Sequence, residues 1–468
     1  MSGKEREAHL LLSCYELGHQ PLSLAWPLAA LREDGHQVAA ADLAVAPFPM
    51  AEARTASFVG IAVPMHTAMR LGVQAARRVR QLNPAAHICF YGLYAGLNGH
   101  YLLHGQNGDG PLADSVIAGE YEAPLRALIE ARAAGKGAET VAGVATAARP
   151  APSHRERIAF PVPDRADLPA LKQYARYMYD GQAVPAGYVE ASRGCLHTCR
   201  HCPVVPVYQG RFFVVPEETV LADVRQQVAA GARHITFGDP DFLNGPGHAL
   251  KVTRALHEAF PGLTFDFTTK VEHILEHREL FATFRERGAS FVVSAFESTS
   301  DEVLAHLQKG HTVADMEETL PILADAGLAV QPTWLPFTPW ASLADYLDLL
   351  AWIREHELIL HVPAVQLGIR LLVPPQSALL EAVDTDGWLG PLDAENFTYR
   401  WEHPDPRMDR LQAEVAAIAE QWGNDAPYRS FKEIERLAYE LAGQAPPSWS
   451  PPPIPDLPPP RLTEDWFC

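Results

Sequence analysis

Three cysteines in the pattern Cys-x-x-x-Cys-x-x-Cys are the residues of this sequence that most clearly predict chemistry. Cys195, Cys199 and Cys202 follow an apolar segment that begins at Tyr188, in the stretch YVEASRGCLHTCRHCP. Thiolates are soft ligands that hold iron–sulfur clusters, and three of them leave one iron of a 4Fe–4S cube without a protein ligand. A small molecule can bind at that open iron and receive an electron there.

A structural zinc site is the alternative interpretation of the same cysteines. His197 or His201 can complete a tetrahedral set of four ligands. In a reducing compartment, clustered cysteines are more typical of a metal site than of disulfides, and the other three cysteines, Cys14, Cys89 and Cys468, are scattered. The strand before the motif and the strand–helix alternation after it favour the iron–sulfur cluster.

Two stretches of alternating strands and helices must position this motif. In residues 8–133, short apolar runs alternate with segments of helical periodicity, which predicts an open, doubly wound parallel sheet. From residue 187 the alternation resumes, and it predicts a partial, six-stranded β/α barrel with its chemistry at the carboxyl ends of the strands. The predicted barrel strands are Tyr188–Ser192, His234–Phe237, Thr264–Thr268, Phe291–Phe296, Ala329–Leu335 and Val365–Leu372.

The fold class predicted from the sequence is therefore α/β, with two domains, a helical segment and a tail. We expect the first α/β domain at residues 1–133, a connecting segment at 134–187, the barrel at 188–390 and the helical segment at 391–445. Residues 446–468 are a Pro-rich tail, in which nine prolines from Pro446 to Pro460 predict an extended polyproline II strut.

Composition and charge exclude several classes of protein. The 468 residues are 47% hydrophobic and carry a formal net charge of −19 without a basic stripe, which argues against nucleic-acid binding. No run of about 18 apolar residues predicts a membrane span. The first residues, MSGKEREAHLLLS, lack the apolar core and cleavage site of a signal peptide, so we expect a cytoplasmic protein without a membrane or nucleic-acid partner.

The cysteine motif and the barrel pattern together resemble the radical S-adenosylmethionine (radical SAM) superfamily, from Tyr188 to about Leu380. The resemblance implies that the methionyl amine and carboxylate of SAM chelate the open iron, and that a segment ending the second strand holds the amine. The matching segment is ITFGDPDF, with Gly238 and Asp239, and Asp241 is nearby. Carbonyl and carboxylate oxygens accept hydrogen bonds from an ammonium group, although these residues are also typical of a turn.

Further SAM contacts are implied at the ends of the third and fourth strands. In SAFESTSDEVLAHLQKGHT, Glu297 and Ser298 match the strand-end Glu-Ser pair of the family, which implies a position near the sulfonium and ribose of SAM. Ser298 is also typical of a residue that caps a helix. Thr269 and Lys270 follow the third strand and are expected at the same mouth of the barrel.

Residues 8–133 resemble the cobalamin-binding domain that precedes many radical SAM barrels, in segments such as FVGIAVPMHTAMRLGVQAARRV and DSVIAGEYEAPL. The Asp-x-His-x-x-Gly motif that supplies a cobalt ligand in the methionine-synthase type is absent from the sequence. In YGLYAGLNGHY, Tyr91, Tyr94 and Tyr101 stand where the tail of the corrinoid needs small residues. Cobalamin is therefore a candidate cofactor, and an empty domain that serves as a scaffold or lid is the alternative.

The whole chain, and its ending RLTEDWFC in particular, resembles a small radical SAM group named for a Cys-Sec-Ala-Glu-Pro or Cys-Cys-Ala-Glu-Pro tail (CUAEP/CCAEP). We expect the gene to continue after Cys468 through a UGA codon that is read here as a stop. Soft donors on such a tail suit a thiophilic substrate such as arsenite. Some enzymes of arsinothricin biosynthesis resemble this group and transfer the 3-amino-3-carboxypropyl group of SAM to trivalent arsenic.

The sequence thus predicts a radical SAM enzyme that cleaves SAM with one electron from a flavodoxin- or ferredoxin-type reductant. The first expectation is transfer of the 3-amino-3-carboxypropyl group to arsenite or another thiophilic small molecule. The alternatives are cobalamin-dependent methylation of carbon, and a rearrangement or oxidation driven by the 5′-deoxyadenosyl radical. A zinc or iron–sulfur binding module without turnover is the non-enzymatic alternative.

Overall fold

The structure is a computed structural model, and it describes residues 8–105, 110–156, 159–382, 384–422, 426–452 and 457–464. It contains two sheets built mainly of parallel strands, each packed between helices, which confirms the predicted α/β class. Within the described residues, no helix is both long enough and apolar enough to cross a membrane.

The first sheet occupies the amino-terminal part of the chain. Its strands are β1 (His9–Ser13), β2 (Val38–Asp42), β3 (Phe58–Ala62), β4 (His87–Tyr91), β5 (Ser115–Ile117) and β6 (Val144–Ala145). Its helices are α1 (Leu22–Glu33), α2 (Met50–Thr55), α3 (His66–Leu82), α4 (Leu93–Leu97), α5 (Gly99–His104) and α6 (Glu122–Ala133). The strand order is β2-β1-β3-β4-β5-β6, and only β6 runs antiparallel to its neighbour. Strands β1, β3 and β4 are buried at every position because helices cover both faces.

The second part of the chain carries the barrel. Its strands are β7 (Arg176–Tyr179), β8 (Gln182–Val189), β9 (Ser192–Gly194), β10 (Phe212–Val214), β11 (His234–Phe237), β12 (Thr264–Thr268), β13 (Ala289–Glu297) and β14 (Ala329–Trp334). Its helices are α7 (Val204–Tyr208), α8 (Glu217–Ala229), α9 (Pro246–Ala259), α10 (Val271–Glu276), α11 (Leu280–Glu286), α12 (Asp301–Leu307), α13 (Val313–Asp325) and α14 (Leu343–Glu355).

The remaining elements cover one side of the barrel and complete its edge. They are α15 (Leu379–Ala382), β15 (Leu389–Asp393), β16 (Thr398–Trp401), α16 (Pro406–Trp422), α17 (Pro427–Leu441) and β17 (Arg461–Leu462). The barrel sheet has seven strands in the order β14-β13-β12-β11-β8-β7-β17, and the five strands from β8 to β14 in this sheet run parallel. Strands β7 and β17 are joined to it in antiparallel fashion.

The predicted sixth barrel strand, Val365–Leu372, is wrong. Residues Ala364–Gly368 form a 3-10 turn, and the rest of the segment makes only an isolated bridge between Phe337 and Arg370. Proline cannot donate to a strand ladder, and Pro363 opens this turn. The Gln366 side chain takes the place of a ladder bond by accepting a hydrogen bond from the backbone nitrogen of Trp334 at 2.9 Å.

The barrel sheet begins earlier and ends later than the sequence pattern indicates. Strand β7 and most of β8 lie in the segment 134–187, which the sequence assigns to a connection. β7 has mixed exposure because it lies near the edge of the sheet, so its residues lack a clean apolar pattern. In the Pro-rich tail, β17 pairs with β7, whereas Cys468 lies outside the described residues.

Candidate active site

The cysteine loop starts from a short hairpin at the carboxyl edge of the barrel. Strand β9 pairs antiparallel with β10, and the backbone nitrogen of Cys195 donates to the Arg211 carbonyl at 3.0 Å. Gly194 has a φ of +78°, and a Cβ at this position would lie 2.4 Å from the Arg211 carbonyl oxygen. Glycine is therefore required where the chain turns into the first cysteine.

The second half of the loop is fixed by backbone hydrogen bonds. The Cys202 nitrogen donates to the Cys199 carbonyl at 3.1 Å, and the Arg200 nitrogen donates to the Leu307 carbonyl at the end of α12 at 2.9 Å. Cys199 is 7% exposed, and burial raises the pKa of the Cys195 thiol to about 11. A cation or a metal is needed to hold such buried sulfurs as thiolates.

The three cysteine sulfurs do not all lie within the distance that the ligands of a single zinc ion require. Ligands of one zinc at bond lengths of about 2.3 Å are always less than about 4.8 Å apart. Among the residues described, the group whose ligand atoms lie within 4.8 Å of one another is His197, Asp241 and His273, and it contains no cysteine. In a 4Fe–4S cube, each of the three cysteine thiolates binds a different iron atom, so the ligands need not all surround one ion. The predicted 4Fe–4S site therefore fits the residues present.

A buried ion pair lies beside the second and third cysteines. Lys309 Nζ lies 3.0 Å from Glu297 Oε1, and His201 Nε2 lies 3.3 Å from the same oxygen. Burial raises the pKa of the Glu297 carboxyl, but Lys309 and His201 together outweigh this effect and hold the pKa below its ordinary value. Burial lowers the pKa of Lys309, and Glu297 followed by the Cys199 thiol more than reverses that shift. The pair thus places a permanent cation near the cluster ligands.

The other predicted residue of this strand end forms a local turn. Ser298 Oγ accepts a hydrogen bond from the Ser300 nitrogen at 3.1 Å, directly before α12. Ser298 is 6% exposed and Glu297 is 8% exposed. Ser298 does not cap the helix itself, because the N-cap residue of α12 is Ser300, which has no side-chain capping hydrogen bond. The contact of Ser298 with SAM stays a prediction.

Gly238 and Asp239 tie the end of β11 to the strand that leads into the cysteine loop. Asp239 accepts hydrogen bonds from the Ala191 nitrogen at 2.9 Å and from Ser192 Oγ at 2.5 Å. A Cβ on Gly238 would lie 2.3 Å from the Tyr188 hydroxyl. Burial raises the pKa of Asp239 to about 7. These residues position the loop, and their predicted role toward the SAM amine stays a prediction.

Asp241 joins two histidines that the sequence does not predict as a group. Its Oδ2 lies 3.3 Å from His197 Nε2 and 2.9 Å from His273 Nδ1, while its Oδ1 accepts from Thr269 Oγ1 at 2.9 Å. Lys270 Nζ lies 3.2 Å from His197 Nδ1. These five polar residues therefore meet near the ends of β11 and β12. The sequence feature that could have indicated His273 is its position shortly after Lys270, just past the carboxyl end of a barrel strand.

Arg193 fastens the cysteine loop to the amino-terminal domain. Its guanidinium donates to Glu122 at 2.7 Å, to Glu190 at 2.9 Å and to Glu120 at 3.0 Å. The same group lies over the rings of Trp26, Tyr121 and Phe160, at 4.9, 5.3 and 5.2 Å. Burial lowers the pKa of Arg193, but the Glu122 carboxylate and its other neighbours raise it well above its ordinary value. This buried charge cluster joins α6, β9 and the segment before them.

The carboxyl edge of the amino-terminal sheet is closed by packed side chains. Tyr91 is fully buried and donates to the Ser23 carbonyl at 2.8 Å, and Tyr94 is 6% exposed within α4. Val207 of α7 and Phe397 pack into the same apolar cluster, each 1% exposed. Short helix α4 and the loop around residue 397 therefore fill the edge where sheets of this class bind ligands.

Comparison with known proteins finds a family model that matches part of this chain and solved structures that share its fold. Residues 189–350 match the family model described as the Radical SAM superfamily. A hopanoid C-3 methylase of Methylococcus capsulatus is 24% identical over 236 residues, which cover 50% of this chain and 44% of that protein. The chain thus spans less than half the length of this curated relative.

Two solved structures share the fold over most of the chain. The cobalamin-dependent S-adenosylmethionine radical enzyme OxsB has a TM-score of 0.70 at 14% identity, covering 93% of this chain and 73% of that one. The radical S-adenosylmethionine methyltransferase TsrM of Kitasatospora setae has a TM-score of 0.66 at 16% identity, covering 89% and 88%. The family uses a 4Fe–4S cluster and SAM, which are the cofactors predicted from the sequence. Residues 189–350, which carry Cys195, Cys199 and Cys202 at the edge of the barrel, are thus the part of this chain that is similar to the radical SAM superfamily.

Proposed function

We propose that the protein is a radical SAM transferase that cleaves SAM reductively and transfers a SAM-derived group, a methyl group in the first instance, to a small molecule. The observation that supports this proposal is the loop of Cys195, Cys199 and Cys202 at the carboxyl edge of a parallel barrel, next to buried polar residues at three strand ends. This loop combines cluster ligands with a sheltered surface for a polar cosubstrate.

In this proposal, the residues of the chain bind and orient the cosubstrate. The three cysteines hold the cluster, which supplies one electron for breaking a C–S bond of SAM when it is bound. Glu297, Ser298, Thr269 and Lys270, with the backbone around Gly238, hold the polar groups of SAM at the strand ends. Lys309 balances negative charge on the thiolates, and the surrounding apolar residues exclude water. The electron comes from a flavodoxin- or ferredoxin-type protein, which stays a prediction.

Methyl transfer is favoured because of what the similar proteins do. One is named a methylase and another a methyltransferase, and both OxsB and TsrM have been solved with cobalamin bound. These comparisons support the alternative that the sequence offers, cobalamin-dependent methylation, better than aminocarboxypropyl transfer. Both solved structures cover the amino-terminal domain as well as the barrel of this chain.

Packed side chains occupy the edge of the amino-terminal sheet at which a corrinoid would bind. Tyr94, Leu97, Val207 and Phe397 are all less than 10% exposed and fill the carboxyl edge of the amino-terminal sheet. His66 and Gln376 add hydrogen bonds across the same edge, to the carbonyls of Asn396 and Gly96. A corrinoid at this edge would have to displace α4 and the loop that covers it.

The filled edge favours a second candidate function, transfer of a SAM-derived group without cobalamin. Transfer of the 3-amino-3-carboxypropyl group to arsenite or another thiophilic acceptor is the form that the resemblance to the CUAEP/CCAEP group implies. It needs only a cluster, SAM and a soft acceptor. The tail cysteine of that proposal, Cys468, lies outside the described residues.

The products of SAM cleavage test these proposals. Anaerobically reconstituted and reduced protein is incubated with SAM, with and without cobalamin, and the products are identified by mass spectrometry. Methyl transfer is expected to require cobalamin and to give a methylated acceptor, whereas methylthioadenosine indicates cleavage of the carboxypropyl bond. Cys199→Ala is expected to abolish both reactions, and Cys14→Ala, which removes a buried thiol outside the loop, is the matched control. If a protein with a full cluster cleaves no SAM, the proposed enzymatic function is refuted.

A further inference from the structure

Three ligand atoms converge beside the cysteine loop without forming aligned hydrogen bonds. Asp241 Oδ2, His197 Nε2 and His273 Nδ1 all lie within 4.8 Å of one another. Although the imidazole nitrogens lie 3.3 and 2.9 Å from the carboxylate oxygen, all three atoms are buried and have no hydrogen-bond partner of acceptable geometry. Buried polar atoms of this kind normally find a partner, so the arrangement calls for a ligand.

The burial of Asp241 strengthens this argument. Asp241 is 0% exposed, and its other oxygen is occupied by Thr269 Oγ1 at 2.9 Å and the Leu243 nitrogen at 3.1 Å. Its second oxygen therefore points into the group with fixed orientation. Burial raises the pKa of the Asp241 carboxyl, but His197 and His273 outweigh this effect and keep the pKa below its ordinary value.

We propose that His197 Nε2, His273 Nδ1 and Asp241 Oδ2 bind one divalent transition-metal ion, as a site separate from the iron–sulfur cluster. Bonds of about 2.1 Å at right angles place neighbouring ligands about 3 Å apart, close to the observed 2.9 and 3.3 Å. Two histidines and one carboxylate are a set that suits Fe²⁺, Co²⁺ or Zn²⁺ and leaves positions open. Water or an oxygen donor of a small molecule takes the open positions.

Residues around the three ligands support this role. Lys270 Nζ lies 3.2 Å from the other ring nitrogen of His197, Nδ1, and as an ammonium it can only donate to that nitrogen. Binding of the ion at Nε2 therefore requires Lys270 to turn to Glu272, its ion-pair partner, so that Nδ1 can carry the ring proton. Glu272 Oε2, 3.6 Å from Nδ1, is the carboxylate nearest to that proton. Thr269 orients the carboxylate of Asp241 in the manner of an outer-shell partner.

The site is independent of the group that the enzyme transfers. None of its ligands is a cysteine, although His197 lies between Cys195 and Cys199 in the loop. An absence of metal binding at this site can therefore be distinguished from an absence of the proposed function, because metal binding, cluster content and SAM cleavage are measured separately.

Cobalt binding by the full-length protein tests the proposal. Protein with a reconstituted cluster is freed of loose metal and titrated with Co²⁺, and bound cobalt, iron and sulfide are counted by elemental analysis. We expect one cobalt per chain, with visible ligand-field bands of a nitrogen- and oxygen-coordinated ion seen after oxidative removal of the cluster. His273→Ala is expected to weaken cobalt binding at least tenfold while iron and sulfide stay unchanged. His257→Ala, an exposed histidine of α9, is the matched control and should bind like the unaltered chain.

Several results would overturn the proposal. One is a chain with a full cluster that takes up no cobalt, which would leave the three residues as a hydrogen-bonded group. Another is His273→Ala protein that binds cobalt as tightly as the unaltered chain. A third is His273→Ala protein that binds cobalt normally but has a changed iron content or a changed electron paramagnetic resonance signal of its reduced cluster. Asp241→Asn is the second variant, and if it folds it should lose cobalt in the same way.

Discussion

Replacing Arg193 by methionine tests whether the buried charge cluster holds the cysteine loop in place. Arg193 is 5% exposed and is in contact with carboxylates of Glu120, Glu122 and Glu190. Methionine keeps much of the volume of the side chain but removes its charge and its donors. The change therefore leaves Glu120 and Glu122, which are 0% and 3% exposed, without their buried cation.

The expected loss of unfolding free energy follows from this burial. Removing one partner of a buried ion pair costs about 3–5 kcal/mol, because an uncompensated charge stays in the interior. The loss should also depend on pH. Burial already raises the pKa of Glu122, and Arg193 opposes that shift, so its removal raises the pKa further. Protonation then relieves the penalty at low pH, and the loss is greater at pH 8 than at pH 5.5.

Urea denaturation followed by tryptophan fluorescence measures this loss, since Trp26 lies 4.9 Å below the guanidinium. Arg410→Met is the matched control, because its exposed pair with Glu414 is worth no more than about 1 kcal/mol. Iron and sulfide counts then show whether the loop still binds its cluster. A loss below about 1 kcal/mol, or a loss that is equal at both pH values, would refute the reasoning.

Three more changes test other parts of the site. Gly194→Ala places a Cβ 2.4 Å from the Arg211 carbonyl oxygen, so iron and sulfide content should fall severalfold while circular dichroism shows a folded chain. Lys309→Met leaves Glu297 buried without its cation and should cost about 3–5 kcal/mol in urea denaturation. Burial lowers the pKa of His19 to about 3, so the native state disfavours its charged form. Stability from this group is present above pH 6.5 and is lost as the pH falls, by about 1.4 kcal/mol per unit, and His19→Gln should remove that dependence.

Controls exist for each of these changes. Gly35→Ala alters a glycine with positive φ and open space around it, and it should leave the cluster content unchanged. For Lys309, the exposed Lys251 provides the matched methionine variant. A cluster content that survives Gly194→Ala, a Lys309→Met loss no greater than that of Lys251→Met, or an acid sensitivity that persists in His19→Gln would contradict the respective prediction.

Much of the fold follows from the sequence because buried parallel strands carry continuous apolar runs. Strands β11 and β12 have the predicted bounds to the residue. β7 is not predictable in this way, since its partly exposed residues carry no apolar run. Residues 365–372 are apolar and resemble a strand, but a side-chain contact from Gln366 replaces the ladder there. The local sequence pattern indicates which residues are buried, but it does not indicate which other part of the chain covers them.

The candidate active site, like the fold, could be predicted from the sequence only in part. The spacing of the cysteines predicts the cluster loop, and the polar strand ends predict that Asp241, Glu297 and Lys270 lie near it. The pairing of Glu297 with Lys309 and of Asp241 with His273 could not be predicted, because it depends on how helices after two different strands are placed. Asp239 has the residue type of a SAM contact, yet its oxygens are used to hold Ala191 and Ser192.

The packing of Val207 and Arg193 against the amino-terminal domain bears on how this architecture is retained in evolution. A barrel that lost this domain would expose an apolar residue of α7 and leave a guanidinium without its carboxylates, directly beside the cluster ligands. We therefore expect loss of the domain to destabilise the cluster loop whether or not the domain binds a ligand. The presence of the domain in a relative of this chain is then not, by itself, evidence of a second cofactor.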